Sequence, residues 1–523
     1  MSGNTITTDG VGATIDNSTV IITAAGTYGI SGSLTDGQLI VNTEDEEVVR
    51  LILNGVDISC STNSPVYIIN AKKTIIVLAD DTENYITDAS SYIFEDPEED
   101  EPNAAIFSKS DLTLYGDGSL IVDGNYNDGI AGKDGLIIRC DTVIVHSVDD
   151  GIRGKDYLVV KEGNMTLNTG GDGLKSDNDE ESTKGYFFIE YGAIDITSGG
   201  DAIVAETDVL ISYGKMILSS GGGSNVHINE STSAKGIKAV VNTIIEDGTF
   251  IINSADDAIH SNGNMVINGG SYDISTGDDG LHADANLLIN SGNIDITESF
   301  EGIESLVITL NSGNIHISSD DDGINGTDGI STGGMPGQFD SPTSNCYLYI
   351  NGGYIAVEAI GDGMDINGSV EMTDGNVIIN GPTADMNSTL DYDGFFKITG
   401  GFLVAAGSSG MAQAPGISST QNSLLLNFNS SCQAGTLIHI QTGDGDGILT
   451  FSPLKTYQSV AFSSPKLLNG FEYDVYTGGG STGTVSDGLY QDGTYTPGNL
   501  YTSFTVSSIV TNIGNSPHHP GGK

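Results

Sequence analysis

The chain has 523 residues, with 70 acidic and 18 basic side chains and a formal charge of −52 at neutral pH. Such an excess of negative charge excludes a nucleic-acid-binding surface and direct attraction to any polyanion, and makes cations the natural partners. Hydrophobic residues at 37%, in regular alternation, exclude a disordered chain, and no apolar run approaches the ~20 residues of a membrane span.

Residues 1–110 are β-rich without a clear repeat and are expected to form an N-terminal cap with the first coils. The opening Met-Ser-Gly-Asn has neither the basic start nor the apolar core of an export signal. Glu95–Glu101, with Pro97 and the following Pro102, reads as an acidic, solvated loop.

From about 111 to 410 one turn recurs, a carboxylate followed by Gly or Ala and an aliphatic residue. Its central position reads Asp128, Asp150, Asp172, Asp201, Lys235, Asp257, Asp279, Glu301, Asp322 and Asp362. Most steps are 22 residues or 21, the mark of a solenoid in which each repeat is one stacked coil. Within a repeat such as GSYDISTGDDGLHADANLLINS, residues 270–291, short β-branched and aliphatic runs alternate between Gly, Asn and Asp turns. Ile294 and Ile296 return in phase as Ile315 and Ile317, so they stack inside one tube. The expected fold is all-β, a right-handed parallel β-helix of about 22 residues per coil.

Longer steps place extra residues at Asp177–Lys184, Gly221–Lys235 and Gly326–Asn345, which leave the coil as loops. Beyond 411 the period fades while alternating runs persist at Leu424–Phe428, Leu437–Ile440 and Tyr473–Tyr476. Residues 411–523 are therefore expected to form a C-terminal β cap over the last coil, ending in a loose tail at His518–Lys523. An open end would instead let coils add between molecules and build an oligomer or filament. Cys60, Cys140, Cys346 and Cys432 show no metal or redox spacing and read as small core residues.

Stacking turns the period into a column of acids roughly 4.8 Å apart. Neighbouring carboxylates at that distance repel by about 3 kcal/mol at an effective dielectric near 20. A single Asp in such a turn bonds to its own backbone as an Asx turn. Doubled acids at Asp149-Asp150, Asp256-Asp257, Asp278-Asp279 and Asp320-Asp321-Asp322 call for a cation, and their hard oxygens suit Ca²⁺ better than a transition metal.

A second column accompanies the first and reads Arg153, Lys175, Val204, Lys238, His260, His282, Glu304, Asn325 and Asp365. It runs from basic through histidine to acidic and amide groups. Glu304, Asn325 and Asp365, beside Glu301, Asp322 and Asp362 and with Asn367 near, make the densest oxygen cluster. Arg153, Lys155 and Lys175 form the concentrated cation site and, with His260 and His282, are candidate sugar contacts. The same groups have two further readings: salt bridges and hydrogen bonds to the neighbouring acids, or a base that abstracts a proton α to a uronate carboxyl while calcium neutralises that carboxyl. Tryptophan is absent, so stacking on sugar would use the 21 Tyr or 15 Phe, and the sequence singles out no exposed row of them.

The blocks TYGISGSLTDGQLIV, LILNGVDIS and NAKKTIIVLADDTENYITD, the turns GDDGLHAD, FEGIES and DDGING, and the later YLYINGGYIAVEAIGDGMDINGS and YQSVAFSSPKLLNGFEYDVYTGGG carry a family resemblance over nearly the whole chain. The chain resembles the calcium-binding parallel β-helix proteins known as carbohydrate-binding domain-containing proteins. The resemblance implies an exported or cell-surface protein with a pectate-lyase-like fold, bound calcium and affinity for acidic or plant-wall polysaccharide. It implies calcium ligands among Asp278, Asp279, Asp284, Glu301, Glu304, Asp321, Asp322, Asn325, Asp362, Asp365 and Asn367. Lys235, which interrupts the acid column, departs from the pattern, and the insertion at 326–345 bears on access to the cluster.

The function expected from these observations is non-catalytic, calcium-dependent binding of an acidic polysaccharide such as polygalacturonate, or of a cellulose-type glycan. A uronate lyase with a Lys or Arg base and a structural, filament-forming surface protein are the alternatives.

Overall fold

A computed structural model describes the chain except for Glu95, Pro97, Glu230, 328–344 and 515–523. The insertion expected at 326–345 and the tail at 518–523 thus lie almost wholly outside the described residues. Two compact units divide the chain, Met1–Gly263 and Asn264–Lys523. Among the described residues every regular element is a strand.

In the first unit, parallel stacking begins at Thr19–Ile22, which pairs with Gln38–Asn42. Leu39, Val66, Ile106, Ile130, Ile152, Leu174, Ile203, Ile237 and Ile259 then follow in register on successive strands, all buried. From Ile130 onward these are the aliphatic members of the recurring turn. Each removes one branched side chain from water, worth about 1.5–3 kcal/mol relative to exposure. Because successive side chains of a strand point to opposite faces, the next residues form an outer row in the same register: Ala131, Arg153, Lys175, Val204, Lys238 and His260.

The second unit repeats the arrangement. Ile294, Ile315, Ile355, Val377 and Leu403 stack in register and are fully buried. Along one turn an amide ladder runs from Asn290 to Asn268 at 2.7 Å, from Asn311 to Asn290 at 2.8 Å and from Asn351 to Asn311 at 2.9 Å. Each side-chain nitrogen donates to the oxygen one rung earlier, the stacking mode of asparagine ladders in parallel β structure. The strand Phe402–Gly407 then pairs antiparallel with Tyr457–Ser463, and six strands between Ile438 and Thr505 form a separate antiparallel sheet. Asp487, in the turn between two of those strands, accepts a hydrogen bond from the Tyr354 hydroxyl at 2.6 Å and lies 3.3 Å from His316 Nε2. Cys60, Cys140 and Cys346 are buried and Cys432 is half-buried, and none of the four is in a disulfide.

Candidate metal centre in a ladder of carboxylates

The acid of the recurring turn has a backbone task, though not within its own turn. Its Oδ1 accepts the amide N–H of the corresponding residue one coil on: Asp150 from Asp172 at 2.9 Å, Asp172 from Asp201 at 2.8 Å, and Asp201 from Lys235 at 2.7 Å. The second unit does the same, with Asp322 accepting from Asp362 at 2.6 Å and Asp362 from Ser388 at 2.5 Å. At these five steps a bond between coils takes the place of the expected Asx turn and satisfies the next amide, whereas the Asp257 amide is accepted by the adjacent Asp256 Oδ1 at 2.9 Å. One oxygen of each acid is fixed in this way, and the other faces the outer row.

In the first unit the outer row answers with cations. Arg153 grips Asp128 at 2.6 and 3.0 Å and reaches Asp177 at 3.3 Å. Lys175 bridges Asp150 at 3.1 Å and Asp172 at 2.8 Å. Lys235 sits on Asp256 at 2.6 Å and Asp257 at 2.7 Å, and Lys238 lies 3.7 Å from Asp201. His260 is held by Asp257 through Nδ1 at 2.7 Å. Lys155 lies at the margin, 3.7 Å from Glu180. Burial works to lower the pKa of Lys175, but Asp150 and Asp172 outweigh it and the net shift is upward. Arg153 and Lys175 thus act from within internal ion pairs, and Lys175 is held as an ammonium rather than poised as a base.

In the second unit the corresponding positions are Asp279, Glu301, Asp322 and Asp362 beside His282, Glu304, Asn325, Asp365 and Asp391. None of these is Lys or Arg. His282 lies 3.0 Å from Asp279, 3.4 Å from Asp284 and 3.7 Å from Glu304. Asp278 is exposed, while Asp321 and Asn367 are half-buried on the turns around the cluster. Ligand-capable atoms of Asp279, His282 and Glu304 lie within 4.8 Å of one another, as do those of Asp362, Asp365 and Asp391.

Burial raises acids in both units, Asp128 to about 6 even against Arg153, with Asp150 and Asp201 likewise upward, and the shifts are larger in the second unit, where these positions hold no Lys or Arg. Burial, then the charges of Asp322, Asp362 and Asp391, push Asp365 up to about 8. Burial, opposed by the Asp362 amide and reinforced by Asp321 and Glu301, pushes Asp322 up to about 7. Asp362 is pushed up to about 7 by burial and by Asp322, against the Ser388 amide. Glu301 is raised by burial and by its contact with Glu304.

Asn325 sits between the two groups of acids. Its Nδ2 donates to Glu301 Oε2 at 2.7 Å and to Glu304 Oε2 at 3.3 Å, while its Oδ1, buried with the residue only 8% exposed, has no hydrogen-bond partner. The strand of Asn325 lies between those of Glu304 and Asp365, with the amide nitrogen satisfied and the amide oxygen without a donor among the described residues. A buried, unsatisfied acceptor beside raised-pKa carboxylates fits a hard cation with oxygen ligands, the donor set of Ca²⁺.

Asp391 is the ligand candidate that the recurring motif does not reveal. Its turn carries Ser388 where the preceding turns of this unit carry an acid, at a step of 26 residues from Asp362, so neither spacing nor motif marks it. Its register with Asp365 does. His260 and His282 are each held by the acid three residues earlier.

A model of the carbohydrate-binding domain-containing protein family matches residues 16–280. A protein of that description from Acetivibrio thermocellus is 40% identical over 134 residues, 26% of this chain and 47% of the relative. The match therefore spans about half the length of that relative. Among solved structures, a polysaccharide lyase-like protein from C. thermocellum, determined as a gadolinium derivative, is similar at 37% identity, with a TM-score of 0.42 over 42% of this chain and 90% of that one.

Proposed function

The chain belongs to the family of carbohydrate-binding domain-containing proteins, and on that premise we propose that it is a non-catalytic glycan-binding protein whose grip on acidic polysaccharide depends on Ca²⁺. The observation that carries the metal is the contrast between the acid turns of the two units. Where the outer row supplies Arg153, Lys175 and Lys238, a cation faces each acid from Asp128 to Asp201, and where it supplies Glu304, Asn325 and Asp365, no Lys or Arg among the described residues does so. Asp322, Asn325, Asp362, Asp365 and Asp391 would hold the ion, with Glu301 and Glu304 as further candidate ligands through their contact with Asn325. A bound divalent cation with an open coordination position attracts a uronate carboxylate that the −52 protein alone would repel. Polygalacturonate is the matching ligand.

The finer fold reading belongs to the same proposal: a right-handed helix of about 22 residues per coil, capped at both ends. Register offsets of 22 between Ile130 and Ile152 and between Ile152 and Leu174 support the period. The acidic, Gly-rich composition supports an extracellular or cell-surface setting. No helix among the described residues is long and apolar enough to cross a membrane.

The test is binding of polygalacturonate to metal-stripped and calcium-loaded protein, with the ultraviolet absorbance of unsaturated uronate product followed in parallel. Calcium-dependent binding without product supports the proposal. Product formation would make the protein a lyase, and binding that survives chelation would remove calcium from the account.

A further inference from the structure

The surface of the first unit carries a cleft of about 480 Å³ that none of the ladder chemistry uses. Its floor is glycine: Gly163, Gly192 and Gly214 follow one another at the same place on successive coils. A Cβ on Gly192 would lie 2.9 Å from the Gly163 carbonyl oxygen, and one on Gly214 would lie 2.8 Å from that of Gly192. Coil spacing therefore keeps the floor bare of side chains. Beside it stand Tyr191 and Tyr213, one coil apart, with ring centroids 5.8 Å apart and planes within 5°. The rings are 57% and 50% exposed, an offset pair left open to water. Arg139 and Glu162, which also line the cleft, pair at 2.9 Å, and Arg139 lies over the Tyr115 ring.

We infer that this cleft is a second glycan subsite, taking a neutral hexopyranose chain without calcium. The inference rests on the reading of the protein as glycan-binding, and adds a site and a substrate class to it. Three features select the ligand. Exposed parallel tyrosines offer flat apolar faces to the C–H face of a pyranose ring, with hydroxyl groups at their tips. The ionisable groups lining the cleft are two cations, Arg139 and Lys215, against three acids, Asp117, Asp141 and Glu162, so no excess positive charge draws a polyuronate. Hydroxyl-rich neutral sugars can accept from Arg139 and donate to Glu162 without neutralising either. The cleft also lies wholly within the stretch that matches the carbohydrate-binding family, whereas most of the carboxylate cluster lies beyond it.

The experiment is calorimetry of the full chain in EDTA with cellohexaose, mannohexaose and laminarihexaose in turn, and with hexagalacturonate as the acidic counterpart. Binding of at least one neutral hexasaccharide is expected, weakened at least tenfold in Tyr191→Ala/Tyr213→Ala. Affinity should persist in Tyr191→Phe/Tyr213→Phe, which keeps the rings, and in Tyr85→Ala, an exposed tyrosine elsewhere. No heat from any neutral sugar, or equal heat from the double alanine variant, overturns the inference. The calcium arm is separate: loss of calcium-dependent polygalacturonate binding with neutral binding intact would remove the proposed function and leave this subsite standing.

Discussion

The side-chain nitrogen of Asn325 lies 2.7 Å from Oε2 of Glu301, and the amide oxygen of the same residue has no donor. The nitrogen end is satisfied by Glu301 and Glu304, and the oxygen end is left as a buried acceptor that a cation would complete. Asn325→Leu is expected to weaken calcium binding at least tenfold, about 1.4 kcal/mol, by removing an oxygen ligand of similar volume. Calorimetry on metal-stripped protein measures it. Unchanged calcium affinity would take Asn325 out of the ligand set.

Asp322 and Asp362, pushed up to about 7, and Asp365, pushed up to about 8, make metal-free stability depend on pH. Unfolded, these acids lose their protons near pH 4, so from there to about pH 8 the native state binds more protons than the unfolded one and stability falls as pH rises. Each group contributes up to about 1.4 kcal/mol per pH unit inside its window. On the proposed reading calcium takes the place of those protons, so the melting temperature in EDTA should drop between about pH 5 and pH 8, and excess calcium should restore most of it at the upper end. Scanning calorimetry with and without calcium decides. A flat profile in EDTA would mean that the cluster is neutralised by something else.

The first unit should respond differently. Arg153 grips Asp128, which is almost fully buried, so Arg153→Met leaves an unpaired carboxylate in a dry site and is expected to destabilise by about 3–5 kcal/mol in urea titrations. Adding Asp128→Asn should recover much of that loss. If the single variant unfolds at the same urea concentration as the parent, the ladder's ion pairs do not hold the coils.

Asp487 ties the antiparallel end of the second unit to Tyr354 and His316. Burial would raise its pKa, but the hydrogen bonds from Tyr354 and Ser486 and the charge of His316 prevail and lower it. Its contribution is therefore complete above the ordinary carboxylate range near pH 4 and lost as pH falls through the lower native value. Asp487→Ala should cost about 1–3 kcal/mol at neutral pH and less in acid, measurable by chemical denaturation at two pH values.

The middle of the fold was legible because one turn repeats with one aliphatic residue per coil, and that residue is Ile130, Ile152, Leu174 and their successors in the core. The earlier coils were hidden. Leu39, Val66, Ile106 and Ile130 occupy the same column at steps of 27, 40 and 24, and a period that varies so widely gives no signal in a single sequence. At the site, Glu301, Asp322 and Asp365 could be named because they share the motif's phase, whereas Asp391 lies behind a turn that has Ser388 in place of the acid. The cation partners of Asp150 and Asp201 depend on which coil each lysine reaches, a matter of packing rather than spacing. Tyr191 and Tyr213 are 22 residues apart but outside the acid turn, and only the structure shows both rings exposed beside a glycine floor.

The central claim is that calcium joins this acidic protein to acidic polysaccharide, and calorimetry on one metal-stripped sample tests it most directly. Polygalacturonate is titrated first without metal and then after saturation with calcium. The account predicts calcium heat in its own right, no polysaccharide heat without metal and clear heat with it, the last lost in Asp322→Asn/Asp365→Asn. Polysaccharide heat of equal size in both forms, or calcium binding that leaves polygalacturonate silent throughout, would contradict it.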